Sequence, residues 1–166
     1  MRHSPVSGWR AASAGGFTLV EVLVTIAIFA IGLLGVASLQ VASLRMNRAA
    51  LYDSQATLLA QEMLERMQIN WQEARAGNYD IAYDETAPTD PECLGAGASC
   101  DPAQMRRHDL AEWRDLLASA MPGGQGEIAV DDTVDPPVAT VRVRWRDADA
   151  DNARDVELAV RLPADG

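Results

Sequence analysis

The sequence predicts an α+β protein: a long N-terminal helix whose first half could cross a membrane and whose second half packs on a small antiparallel β-sheet head carrying one extra short helix. Three observations predict it. An uncharged stretch at 22–44 is long enough to span hydrocarbon. No proline occurs between Pro5 and Pro88, and after residue 45 the apolar residues retreat to one face at steps of three and four. The last third changes to period two, the spacing of half-buried strands.

Residues 1–16 are short and polar, with Arg2 and Arg10 and no acid, and they stop at glycine. A secretory signal carries its apolar region before the cleavage site and loses it on cutting. Here a cut between Gly16 and Phe17 keeps the apolar helix and exposes an α-amine on Phe17, four residues before Glu21. Glu21 is a lone carboxylate at the head of the apolar run. At membrane depth an acid costs several kcal/mol unless a cation meets it, so it is a functional candidate by default. The bland alternative is an ordinary anchor whose glutamate lies near the headgroups, which leaves the glycine, the phenylalanine and the polar leader unexplained together.

The run Gly16-Phe17-Thr18-Leu19-Val20-Glu21 resembles the class III (prepilin peptidase) signal of type IV pilins and pseudopilins. The resemblance implies a type IV pilin-like fold, removal of a 1–16 leader after Gly16, N-methylation of Phe17, and an assembly role for Glu21. In that family the glutamate meets the α-amine of a neighbouring subunit, so both charges are neutralised as the helices bundle into a fibre. Segment 17–44 is then the transmembrane and fibre-core helix, and 45–166 a periplasmic head. Major pilins usually have a proline midway through this helix; this chain has none, and Gly32 and Gly35 are candidates for a flexible segment in its place, or for close helix approach.

Within the head, Tyr52, Ala56, Leu59, Met63, Met67 and Trp71 form a stripe that extends the helix through 45–76, with Glu62 and Arg66 as an i,i+4 pair on its solvated side. One helix from 17 to 76 would be roughly 90 Å long. The 77–100 segment reads as an irregular loop with little apolar material to bury. Asp101-Pro102-Ala103-Gln104 then supplies an N-cap, a first-turn proline and an acceptor three residues on, starting a helix over 102–121 with Leu110, Trp113, Leu117 and Met121 on one face. Pro122-Gly123-Gly124 ends it. Strands are expected at 127–130, 139–145 and 155–162, a meander whose apolar side covers the long helix. Arg142, Arg144 and Arg146 alternate with Val141, Val143 and Trp145 and should face solvent among acids.

Cys93 and Cys100 bracket a glycine-rich hexapeptide and read as a disulfide, which requires an oxidising compartment. The alternative, a metal pair, is poorly served by Cys-x6-Cys without neighbouring histidines. The positive-inside comparison is nearly a tie, with Arg2 and Arg10 before the span and Arg45 and Arg48 after it. A bridged Cys93–Cys100 breaks the tie and puts the head outside the cytoplasm.

The composition excludes several functions. The formal charge is −10, and removing the leader takes away two of the 14 basic residues and none of the 24 acids, leaving −12. So acidic a chain is no nucleic-acid binder. All basic residues are arginine, so a P-loop or Schiff-base lysine is absent. His108 is the only histidine outside the leader and is expected at the surface, and Asp131-Asp132 has nothing to desolvate it, so neither an enzyme nor a cofactor is expected. Asp147, Asp149 and Asp151 start like a calcium loop, but Asn152 stands where glycine and Leu158 where glutamate are expected. A solvated hairpin loop is the competing reading.

Gly32-Leu33-Leu34-Gly35, Cys100-Asp101-Pro102-Ala103-Gln104, Trp113 and Pro122-Gly123-Gly124 resemble the PilV-type minor pilins, or type IV pilus modification proteins. That resemblance implies a subunit that primes or caps fibre assembly and affects adhesion or twitching motility. Its implied partners are prepilin peptidase, other minor and major pilins, the inner-membrane assembly platform and membrane lipid. Its implied location is the bacterial inner membrane, single-pass, and the fibre. A minor pseudopilin of a type II secretion system is the runner-up, and a membrane-anchored calcium-binding or enzymatic domain belongs to a different class.

Overall fold

The computed structural model describes residues 16–95, 97–146 and 153–164. The chain divides into two units, one ending at Leu44 and the other beginning at Arg45. In the first unit, residues from Leu19 to Leu44 are helical and exposed throughout. They belong to helix α1, Leu19–Ile69, which is long and apolar enough to cross a membrane. The helix runs unbroken through Gly32 and Gly35, and a Cβ at either would meet only open space.

The second unit is the head. Its part of α1 buries Ala56, Ala60, Met63, Leu64 and Met67, with Tyr52 and Leu59 packed at the margin. The predicted stripe is therefore the core face as far as Met67, widened by Ala60 and Leu64, while its last member, Trp71, is half-buried and outside the core. The expected continuous helix to residue 76 is broken once: α1 stops at Ile69, Asn70 leaves helical geometry, and a five-residue helix α2, Trp71–Arg75, follows. Asn70 turns out because its amide donates elsewhere, to Tyr79 Oη at 3.1 Å and the Pro102 carbonyl at 2.8 Å. Gly77 then takes φ +70°, which favours glycine and ends the helical run.

Helix α3, Pro102–Ala120, begins in a complete capping box. The Gln104 N–H donates to Asp101 Oδ1 at 2.7 Å and the Asp101 N–H to Gln104 Oε1 at 2.9 Å. Leu110, Trp113, Leu117 and Met121 are all buried, as their spacing predicts. Strands β1, Gln125–Asp131, β2, Val138–Arg146, and β3, Ala153–Arg161, form an antiparallel meander in the order β1-β2-β3, with Ile128 opposite Val141 and Val141 opposite Leu158. Ala139, Val141, Val143 and Trp145 of the central strand are sealed from solvent, whereas Val156, Leu158 and Val160 of β3 are half-buried. This is the expected pilin-like α+β architecture.

The 77–100 segment corrects the sequence reading. Tyr79 and Ile81 are buried, and Ile81 exchanges two backbone hydrogen bonds with Ile128, at 3.1 and 3.0 Å. Asp80 Oδ1 accepts the Val130 N–H at 3.0 Å, so this short segment covers the outer edge of β1. Two apolar residues are too few to register as a periodic pattern.

Where α3 crosses the sheet, Gly126 makes room for Trp113. A Cβ at residue 126 would sit 2.2 Å from Trp113 Cη2 and 2.7 Å from Leu117 Cδ1. Gly126→Ala should therefore destabilise the protein by about 1–3 kcal/mol through overpacking, seen as a lower denaturant midpoint in chemical unfolding.

Candidate functional site

The chemistry at the N-terminal end of α1 starts from Thr18. Its carbonyl accepts the Glu21 and Val22 N–H groups at 3.1 and 3.2 Å, and its Oγ1 accepts the Glu21 N–H at 3.3 Å. Thr18 is thus the N-cap and Glu21 the third helical residue, the Thr-x-x-Glu spacing that marks a helix start. That signal was present in the sequence beside the glycine and phenylalanine. It places the Glu21 carboxylate in the first turn, where the exposed N–H groups and helix dipole favour an anion.

Glu21 makes no side-chain hydrogen bond or ion pair among the described residues. Two hydroxyls farther along are answered locally: Thr25 Oγ1 donates to the Glu21 and Val22 carbonyls at 2.9 and 2.8 Å, and Ser38 Oγ to the Gly35 carbonyl at 2.7 Å. Folding their hydroxyls onto the helix hides both from an apolar environment, and the Glu21 carboxylate stands out as the charged group of this run still requiring a partner. Gly16 and Phe17 precede the helix in accessible chain without regular structure, Phe17 being 82% exposed.

Between α1 and α3 the head holds a connected cluster of polar groups. Arg66 lies between α1 and α3, donating from Nη2 to Glu62 Oε1 at 2.6 Å and from Nη1 to Glu112 Oε2 at 2.6 Å and Asp109 Oδ1 at 3.3 Å. The predicted Glu62–Arg66 pair is formed, yet it faces α3 rather than solvent. Burial opposes the charge on Arg66, but its hydrogen bonds to Glu62 and Glu112, with the charges of those carboxylates, outweigh it and hold the guanidinium more firmly protonated than usual. The buried Asp109 also accepts from Tyr79 Oη at 2.6 Å, and burial followed by that carboxylate pushes the phenol well above its ordinary range.

His108 corrects a second expectation. It is buried, not at the surface, because residue 108 faces the 77–100 segment. Its Nδ1 is 2.8 Å from Asp90 Oδ1, and its Nε2 lies 3.8 Å from Glu112 Oε2. Asp90 stands three residues before Cys93, and Cys93 and Cys100 are joined by a disulfide. Arg142 spans Glu127 and Glu157 at 2.7 and 2.5 Å across three strands, and Arg144 donates to Gln125 and stacks 3.9 Å over the Tyr83 ring. These contacts are ladders on the outer sheet face. No group of three or more His, Cys, Asp or Glu side chains among the described residues could hold a metal. Asp147, Asp149 and Asp151 lie outside the described residues.

Compared with known proteins, residues 12–37 match the model of the prokaryotic N-terminal methylation motif. The motif supports a type IV pilin-like protein. It covers Gly16, Phe17 and Glu21 together, and it implies processing by prepilin peptidase and assembly with other pilins. No curated protein and no solved structure matches the chain.

The Asp90–His108 contact sets a pH dependence. The hydrogen bond with His108, then that from the Glu92 N–H, holds the Asp90 carboxyl below the usual carboxylate range. A carboxylate depressed in the folded state adds stability above its unfolded value, here 3.8, and loses it as pH falls through the folded value. Asp90→Asn should therefore lower the melting temperature at neutral pH, and the gap to the unsubstituted protein should close as the pH is taken below 3.8.

Proposed function

We propose that the chain is a minor subunit of a type IV pilus, made as a membrane-anchored precursor and built into the fibre after its leader is removed. In this reading prepilin peptidase cuts after Gly16, Phe17 becomes the methylated N-terminus, and the inner-membrane assembly platform moves the apolar helix from lipid into the bundle of major and other minor pilins. The head faces the periplasm until export. The role is structural rather than enzymatic, in fibre initiation, with consequences for adhesion or twitching motility.

The observation that carries the reading is Glu21: a carboxylate with no side-chain partner among the described residues, on an apolar helix exposed throughout its first unit. Neutralising it requires a cation delivered from outside the helix, and the α-amine of a neighbouring subunit is such a group. The exposed apolar surface gives the driving contact, since lipid contacts are exchanged for helix packing.

Three outcomes are expected. Mass spectrometry of the purified protein should find a chain beginning at a methylated Phe17; a chain retaining Met1 contradicts the proposal. Gly16→Leu should accumulate full-length precursor. Glu21→Ala should be shortened normally yet be depleted from sheared fibres by about tenfold or more, the loss expected when a charge pair worth over 1.4 kcal/mol is removed. A deletion strain that keeps its surface fibres but fails to secrete protein would assign the chain to a type II secretion pseudopilus instead.

A further inference from the structure

The two edges of the sheet are treated differently. The β1 edge is occupied by Ile81, which bonds Ile128 in both directions, and by Asp80, which takes the Val130 N–H. The β3 edge has no backbone partner beyond β2 among the described residues. Along β3, Val156, Leu158 and Val160 are only half-buried, although their neighbours Val141 and Val143 on β2 are sealed. A nine-residue edge with unfinished apolar burial is a template for another strand.

The charges on β3 select the strand that fits. Asp155 and Arg161 face outward, three residues on either side of Leu158, and neither forms a side-chain hydrogen bond or ion pair among the described residues. We propose that this edge is a self-recognition surface, on which β3 pairs antiparallel with β3 of a second copy about a two-fold axis at Leu158. Leu158 then lies opposite its own counterpart, Val156 opposite Val160, Glu157 opposite Ala159, and Asp155 opposite Arg161 twice over. Directly opposed unlike charges and apolar pairs are the contacts that stabilise a sheet.

Neighbouring registers are worse. Centring on Glu157 sets that carboxylate against itself, and centring on Val156 sets Asp155 against Glu157. Centring on Ala159 puts Asp155 opposite Pro163 and gives Arg161 only Glu157, which already holds Arg142. Slips of one residue put inward and outward faces together.

The pairing has a directional consequence. Arg154 meets Asp53 of α1 at 3.0 Å and Arg75 of α2 donates to the Pro163 carbonyl at 2.8 Å, so β3 runs in the direction of the chain from α1 to α2. A two-fold axis across β3 reverses that direction in the second copy. Copies sharing one orientation therefore cannot make this contact, and copies that approach from opposite directions can. The surface is a single strand pair, small enough for a weak, concentration-dependent association.

The test is charge reversal on the purified full chain in detergent, read by sedimentation. D155R and R161D should each weaken self-association by about tenfold or more, because each sets like charges opposite one another twice, and the D155R/R161D double variant should restore it. L158C should form an intermolecular disulfide on oxidation, while A153C should not. A monomer at every concentration, or a double variant no better than either single one, overturns the proposal. Neither result bears on leader removal or on Glu21, so the fibre reading stands or falls separately.

Discussion

Helix α1 has to be stable in two surroundings, and the constraint acts on its side chains rather than its backbone. Between its first and last turns every backbone group is satisfied within the helix, which is what an apolar environment demands. Before Arg45 the side chains are apolar on all sides and exposed; after it they are apolar on one stripe and buried against sheet and α3. The first pattern needs other helices or lipid, and the second needs only the rest of this chain. Each unit can thus be understood from its own portion of one continuous element.

In the head, the apolar stripe alone would leave α3 free to slide along α1. The cluster around Arg66 removes that freedom: one guanidinium is shared by Glu62 on its own helix and by Glu112 and Asp109 on the other. Asp109 extends the connection through Tyr79 to Asn70, whose outward turn ends α1. Partly buried charge of this kind adds little net stability but penalises any arrangement that leaves one partner unpaired. It fixes the register in which the two helices meet.

Much of this was legible in the sequence because it was periodic or local. The α1 stripe, the four apolar residues of α3, its capping aspartate and the alternation of β2 all follow from spacing within one element. What escaped was non-local. Asn70 breaks the helix to satisfy partners 9 and 32 residues away. Ile81 is held by Ile128 of β1 and Tyr79 by Asp109 of α3, and His108 is buried by a loop that carries no pattern of its own. The candidate site was the more readable part. Gly16, Phe17 and Glu21 fall within one short signal whose meaning lies in residue type and order, although Thr18 as the cap was overlooked.

The hydroxyl of Thr18 closes the start of α1 from inside the chain, one residue beyond Phe17. A polypeptide that began at Phe17 would keep that closure intact, so trimming the sixteen residues ahead of it would not oblige the helix to reorganise. Such a terminus would be presented on a helix start already closed by Thr18.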